Sequence, residues 1–394
     1  MELSTIHAGL SLLLKFPAIW FIFVALRWMF ARERTWAQAE PKIRFAVVIA
    51  ARNEEAVIGR LIKSLLAQEY PRELFDVFVV PNHCTDDTAG KAFRAGAEIL
   101  LCTDPIRQKG DALRQAFCQL KDRNYDAYLV FDADNVVDSQ YLKKTNDAFC
   151  GGARVVKGRQ MALNPRASWV AGCYDLYFSL FDVFYNRPRA RGGLSVKLVG
   201  TGFAVHRSVL EQLGGWDTQT IAEDAEFAAQ CALSGIRVCW APEAITYDEE
   251  PIGFGLSLRQ RKRWCSGMVQ VGRLMLPQML IFGSGRLNGD MSLFLLTAQL
   301  APLSLLLLTA SRVMAGLTLP ALAFTAAGYW LGCMVLAAAL QLTQRSKERR
   351  CWQAAMLFPV FMLSWIPLQM LAVFHKTTVW HEIGHGSAKQ IDFV

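Results

Sequence analysis

The 394-residue chain is 53% hydrophobic and only 19% charged, too apolar for a wholly soluble protein and long for one ordinary domain. Its net charge of +8 does not call for a nucleic-acid partner, because much of the excess lies at Arg32 to Arg34 and Arg345 to Arg350, beside apolar stretches where lipid headgroups and topology account for it. The ten cysteines are scattered with no CxxC pair, which argues against a zinc ribbon or a disulfide framework and suits a reducing compartment.

Ala8 to Phe30 is long enough to cross a bilayer, which takes about 20 apolar residues, although Lys15 sits inside it. It is longer than a signal-peptide core and lacks a small-residue cleavage site, so an uncleaved anchor is expected. Arg27, Arg32 and Arg34 then place the following domain in the cytosol, on the inner face of the plasma membrane. Phe45 to Ala51 (FAVVIAA) reads as a strand buried on both faces. Glu54 to Ala67 follows as a helix that Tyr70-Pro71 ends. The alternation continues with a strand at Phe75 to Val80, a helix at Thr85 to Ala95, a strand at Glu98 to Cys102, a helix at Gln108 to Lys121 and a strand at Ala127 to Phe131. This predicts an α/β domain with a mostly parallel central sheet, whose ligands bind at the carboxyl ends of the strands. Beyond Met291 three further spans are expected, at Met291 to Ser311, Leu317 to Leu342 and Trp352 to Phe374, with the basic loop Gln344 to Arg350 in the cytosol. The chain therefore divides into an anchor and linker (1–41), a cytosolic domain (42–252), interfacial amphipathic helices (253–290), C-terminal transmembrane α-helices (291–376) and a tail (377–394).

Asp132-Ala133-Asp134 closes the strand AYLVFDAD, and period-two geometry puts both carboxylates on one side of the backbone. Hard cations such as Mg2+ or Mn2+ are held by one or two carboxylates plus substrate phosphates, so the pair suits a metal beside a diphosphate. A lone DxD is common in loops, and context must support it. Glu223-Asp224, opening a helix that runs to Leu233, supplies a second acidic site and a candidate general base; the same two acids would also suit a helix N-terminus for purely electrostatic reasons. Gln260-Arg261-Lys262-Arg263-Trp264 lies in the segment Gly253 to Val271. Guanidinium groups bind phosphate and an indole face stacks on a sugar ring, while a basic amphipathic helix lying on the membrane is the plainer account of the same residues.

Together these segments resemble the family 2 glycosyltransferases of the GT-A fold, specifically the membrane-bound processive β-glycan synthases, over about Ala46 to Gln270. The matching pieces are ARNEE at Ala51 to Glu55, NHCTDDT at Asn82 to Thr88, KGDAL at Lys109 to Leu113, DAD at Asp132 to Asp134, GTGFAV at Gly200 to Val205, AED at Ala222 to Asp224 and QRKRW at Gln260 to Trp264. The resemblance implies that Asn53, Glu55 and Asn82 hold the nucleotide base and ribose, with Lys109 nearby and Asp132 also on the nucleotide sugar. It further implies that Asp134, with Asp132, holds the metal; that Asp224, beside Glu223, is the catalytic base; that Arg261 and Arg263 face the pyrophosphate; and that Trp264 and Gln260 receive the acceptor. The implied reaction is inverting transfer from a UDP-sugar, with UDP-glucose or UDP-N-acetylglucosamine favoured, to a growing β-linked polysaccharide. The chain has Ala222 where the family often has Thr, and Asn82 where it often has Asp, which bears on nucleotide preference. Donor-sugar specificity is expected around Arg159, Gln160 and residues 186–200.

Transfer of one sugar to a lipid is the alternative within the same chemistry. His381-Glu382-Ile383-Gly384-His385 matches the HExxH pattern of zinc proteases, but Gly384 weakens the helix the motif needs and only nine residues remain to supply a third ligand. A catalytically silent nucleotide-sugar binder is a third reading, against which the retention of Asp132, Asp134, Asp224 and Trp264 speaks. One span before the domain and three after it would put the C-terminus outside, so the proline-broken segment Leu357 to Phe374 is also considered as a re-entrant one.

Overall fold

The computed structural model describes residues 15–16, 19–32, 35–314, 318–343 and 347–374. The tail bearing His381 and His385, the start of the expected anchor and the start of the basic loop (344–346) lie outside the described residues.

A ten-residue apolar helix, α1 (Ile19–Trp28), comes first. The α/β domain follows in the order β1 (Phe45–Ala51), α2 (Ile58–Leu66), β2 (Phe75–Pro81), α3 (Thr88–Arg94), β3 (Glu98–Ile99), α4 (Lys109–Leu120), β4 (Ala127–Asp132), β5 (Val136–Val137) and α5 (Tyr141–Cys150). Its second half runs β6 (Val155–Ala162), α6 (Trp169–Phe181), a π-helical turn at Asp182–Asn186, α7 (Arg187–Gly192), β7 (Phe203–His206), α8 (Arg207–Leu213), α9 (Glu223–Leu233) and β8 (Val238–Asp248).

All seven residues of β1 are buried, for the reason the continuous apolar run suggests. Ala46, Val48 and Ala50 pack with Ala112, Leu113 and Ala116 of α4 on one face. Phe45, Val47 and Ile49 pack with Ile58, Leu61 and Leu65 of α2 on the other. Each of these large apolar side chains contributes about 1.5–3 kcal/mol on burial. The helix after β1 starts at Ile58, later than the expected Glu54, because the intervening backbone is tied elsewhere. The Glu54 N–H donates to Thr88 Oγ1 (2.8 Å) and the Glu55 N–H to Asp86 Oδ2 (3.1 Å). The strand expected at Glu98 to Cys102 shortens to Glu98–Ile99.

The sheet has eight strands in the order β3-β2-β1-β4-β7-β6-β8-β5. The strands expected from sequence are parallel, but the sheet as a whole is mixed: β7 runs antiparallel between β4 and β6, and β5 antiparallel to β8. The pairing of β6 with β8 slips between Gly158 and Arg159, so that Gly158 faces Ala241 and Arg159 faces Ile245. This irregularity carries the end of β8 to β5 and sets Asp248 beside the loop that follows β4.

Among the described residues, five long or apolar helices follow: α10 (Phe254–Phe282), α11 (Gly285–Met314), α12 (Leu319–Thr343), α13 (Trp352–Leu363) and α14 (Trp365–Phe374). Leu319–Leu342 and Trp352–Phe374 are long and apolar enough to cross a membrane. Leu319 and Phe324 are more than four-fifths exposed, a surface stable in hydrocarbon and costly in water. The expected span at Met291 to Ser311 falls within α11, and the last expected span is two helices broken at Ser364. Helix α13 packs on α6 of the α/β domain at a small-residue crossing, where a Cβ on Gly172 would lie 2.7 Å from that of Ala354. Arg349, near the end of the basic loop, donates to Asp175 Oδ1 of α6 (2.8 Å), so this end of the loop lies against the α/β domain.

Candidate active site

Strand β4 ends at Asp132 on the carboxyl edge of the sheet, where a cavity opens. The turn after it is locked from both sides. The Asp132 N–H donates to Asn135 Oδ1 (3.1 Å) and Thr201 Oγ1 (3.0 Å), and Asn135 Nδ2 donates to Asp248 Oδ1 (2.8 Å). Asp132, Asp134 and Asp248 consequently line one wall, with Glu249 and Glu250 beyond them.

Lys109, at the start of α4, reaches across the floor. Its Nζ donates to Asp132 Oδ1 (2.5 Å) and lies 3.5 Å from Glu223 Oε1. Gly200 shows how tightly α4, β4 and α9 converge: a Cβ there would stand 3.5 Å from Lys109 Nζ, 3.6 Å from Glu223 Oε1 and 3.7 Å from Asp224 Oδ2. The start of α9 is pinned by Glu226, whose carboxylate accepts from the N–H groups of Gln219 (3.0 Å) and Thr220 (2.7 Å). Asp224 Oδ1 accepts from the Ala225 N–H (2.7 Å).

Helix α10 forms the remaining wall with Gln260, Arg263 and Trp264. It approaches α9 at a point without side-chain bulk, where a Cβ on Gly267 would meet that of Ala222 at 2.6 Å. Tyr174 of α6 holds Gln260, donating its hydroxyl to Oε1 (2.8 Å), and packs edge-on against the Trp264 ring.

The electrostatics follow from this crowding. Burial pushes Glu223 up to about 7, Asp224 and Asp132 add to the effect, and Lys109 opposes it. Burial likewise raises Asp224 above the ordinary carboxylate range, against the pull of the Ala225 N–H, Lys109 and Lys197. Burial would lower Lys109, but Asp132, Glu223 and Asp224 together hold its ammonium above an ordinary lysine. Asp248 stands well above the usual range through burial first and then the charge of Asp134, and Glu250 does so through burial and then Asp248.

Among the described residues no three or more His, Cys, Asp or Glu side chains form a ready-made metal cage. The donor set nevertheless fits a hard cation. Such ions are commonly held by one or two carboxylates and completed by substrate phosphates, and the mutual repulsion of Asp132, Asp134 and Asp248 is what a divalent charge relieves.

Of the residues expected from sequence, the structure gathers Asp132, Asp134, Lys109, Glu223, Asp224, Gln260, Arg263 and Trp264 around this cavity. Asn53, Glu55 and Asn82 stand at the neighbouring strand ends but outside its lining. Asn53 has left-handed backbone (φ 55°), which turns its side chain to accept from the Thr85 N–H (2.7 Å) and leaves Arg52 and Glu54 in the wall instead. Glu55 Oε2 accepts from the Asp87 N–H (3.1 Å), and Asn82 is buried against His83. Arg261, expected to face the pyrophosphate, is instead fully buried outside the cavity lining, and its NH1 donates to the Phe361 carbonyl (3.0 Å) and Ser364 Oγ (2.8 Å). On an α-helix, Gln260, Arg263 and Trp264 share a face, whereas the side chain one residue after Gln260 turns about 100° away. Asp248, Glu249 and Glu250 were missed, although an acidic triplet ending a strand just before Pro251 was a usable signal.

A family model described as "Glycosyltransferase like family 2" matches residues 41–267. The chain belongs to glycosyltransferase family 2. Among curated relatives, this glycosyltransferase is 28% identical to "Probable glycosyltransferase YdaM" of Bacillus subtilis over 270 residues, covering 65% of this chain and 62% of that protein. It is 28% identical to the "Beta-monoglucosyldiacylglycerol synthase" of Nostoc sp. over 300 residues (71% of this chain, 61% of the relative). It is 23% identical to the "Poly-beta-1,6-N-acetyl-D-glucosamine synthase" of Staphylococcus aureus over 264 residues (64% and 63%). The chain therefore matches less than two thirds of the length of these relatives. A mannosyltransferase of Pyrobaculum calidifontis, solved in complex with GDP-Man and Mn2+, superposes with a TM-score of 0.63 at 20% identity, over 92% of this chain and 99% of that one. That likeness shows the GT-A fold.

Proposed function

We propose that this glycosyltransferase moves a sugar from a UDP-sugar to an acceptor hydroxyl at the cytosolic membrane boundary, by a single displacement that inverts the anomeric centre. The observation that carries the reading is that three stretches far apart in sequence, at Asp132 to Asp134, Glu223-Asp224 and Gln260 to Trp264, line one cavity. The Asp224 carboxylate takes the acceptor proton as the acceptor oxygen bonds to the anomeric carbon. The bond from that carbon to the diphosphate breaks, and UDP leaves, so an α-linked donor gives a β-linked product. Mg2+ or Mn2+ on Asp134 and Asp132 would neutralise the charge growing on the diphosphate, with Arg263 beside it and Lys109 balancing Asp132 and Glu223.

The acceptor is assigned to a growing β-linked glycan, with Trp264 as its platform and Gln260 as its hydrogen-bonding partner. The longer match to the monoglucosyldiacylglycerol synthase supports a second reading, transfer of one sugar to a lipid. UDP-glucose and UDP-N-acetylglucosamine are the donors to test, since the relatives' names point to those sugars. Membranes carrying the full chain, fed each labelled donor with and without added diacylglycerol, separate the readings by product length. A ladder or polymer supports glycan synthesis, a single glycolipid supports the second reading, and no transfer from any UDP-sugar sinks both.

A further inference from the structure

The break between α13 and α14 falls at Ser364, inside the 23-residue stretch Trp352–Phe374 that is apolar enough to cross a membrane. Pro367 has no N–H for the Leu363 carbonyl four residues before it, which weakens the helical ladder just past the break. In hydrocarbon no water can serve the exposed carbonyls, so protein donors must. Arg261 of α10 is that donor. Its NH1 bonds the Phe361 carbonyl and Ser364 Oγ, Ser364 Oγ donates to the same carbonyl (2.7 Å), and Arg261 Nε donates to Ser257 Oγ (3.1 Å). The guanidinium also lies 4.1 Å from the Phe361 ring centroid and 5.2 Å from that of Trp365, contacts that favour a cation.

We propose that Arg261 is a positioning residue: it clamps the broken membrane segment α13–α14 onto α10 and so sets where Gln260 and Trp264 stand in the cavity. The proposal rests on the transferase reading above. Two contacts carry the coupling. Trp264 stacks on Trp365, the first residue of α14, at 6.2 Å and 24°. Tyr174, which holds Gln260, also meets Ser257 Oγ (3.1 Å) and packs edge-on against Phe361 at 5.2 Å. A shift of α14 therefore displaces the partners of both acceptor-facing residues at once. Lysine keeps the charge but cannot give one nitrogen to Ser257 Oγ and another to Phe361 and Ser364, as the planar guanidinium does, so Arg261→Lys isolates the geometry from the charge.

The experiment compares full-length wild type, Arg261→Lys and Ser364→Ala in membranes, with two readouts. Cys265 is buried between α10 and α14 beside Leu368 and Ala372, so maleimide labelling of the Cys265 peptide, read by mass spectrometry, reports the clamp without any activity. Acceptor KM and acceptor-free hydrolysis of the donor report the site. Arg261→Lys is expected to label Cys265 and raise acceptor KM by about tenfold or more, because a misplacement of ~1 Å costs up to ~10²-fold, while donor hydrolysis stays within about twofold. Ser364→Ala should shift both readouts in the same direction by less. Wild-type labelling and wild-type acceptor KM in both variants would overturn the clamp, as would loss of donor hydrolysis in step with acceptor turnover in folded protein. If wild type transfers no sugar, the transferase reading fails while the labelling still decides the clamp.

Discussion

Asp224 and Glu223 occupy adjacent positions at the first turn of α9 yet meet different surroundings. Glu223 is engaged by Lys109, whereas one oxygen of Asp224 takes the Ala225 N–H and the other points toward the space above Gly200. That difference is why Asp224, and not Glu223, is the proposed base. Asp224→Asn keeps the volume and removes the proton acceptor, and it is expected to lower kcat by about 10²–10⁴-fold with donor affinity nearly unchanged, measured as initial rates against donor concentration. The sign of the pH dependence follows from burial. The base works only when ionised, and its carboxyl is raised above the ordinary range, so kcat/KM should fall on the acid side with a midpoint above the usual aspartate value of about 4. Glu223, pushed up to about 7, carries its proton over the lower part of that window. A profile that stays flat down to the usual aspartate value of about 4 would remove Asp224 from the role.

At the scale of elements, the site depends on how closely α10 approaches α9. Gly267 and Ala222 meet without intervening bulk, and this contact gives a physical meaning to alanine at a position where a larger residue is often found. Gly267→Ala adds one methyl that has no room, because the opposing atom is a rigid Cβ. We expect a loss of about 1–3 kcal/mol in stability from overpacking, read as a lower Tm. A rise in acceptor KM should accompany it, since Trp264 lies one helical turn away on the same helix. Ala222→Gly in the Gly267→Ala background removes the opposing methyl and should restore both, which separates a steric cause from a general weakening of α10. The strands of the first half were legible as elements because each is an apolar run buried on two faces, and the helices between them because their apolar residues recur at helical spacing. Strands β6, β7 and β8 were not, because their direction and register come from pairing with distant segments, and the slip at Gly158 has no local signature.

For the whole molecule, the cavity is a meeting of like charges. Asp132, Asp134, Asp248 and Glu250 share one wall, and the basic residues facing them leave room for a divalent ion with a diphosphate. Chelation with EDTA is therefore expected to abolish transfer, with Mn2+ or Mg2+ restoring it. In a thermal-shift assay UDP should stabilise the protein far more with the ion than without it, by mass action on a shared site; equal stabilisation with and without metal would argue against the ion. The fold class and most of the site were readable from the amino-acid sequence by itself, because buried strands, strand-end acids and a basic aromatic segment are each set by local chemistry. Which neighbours faced the cavity was decided only in three dimensions. Asn53 gave way to Arg52 and Glu54 through one left-handed residue, Asp248 arrived through a register slip about a hundred residues from Asp134, and Arg261 turned inward to a break in an apolar helical stretch long enough to cross a membrane. Side-chain direction there is set by helical phase, backbone handedness and long-range pairing, none of which residue identity alone can supply.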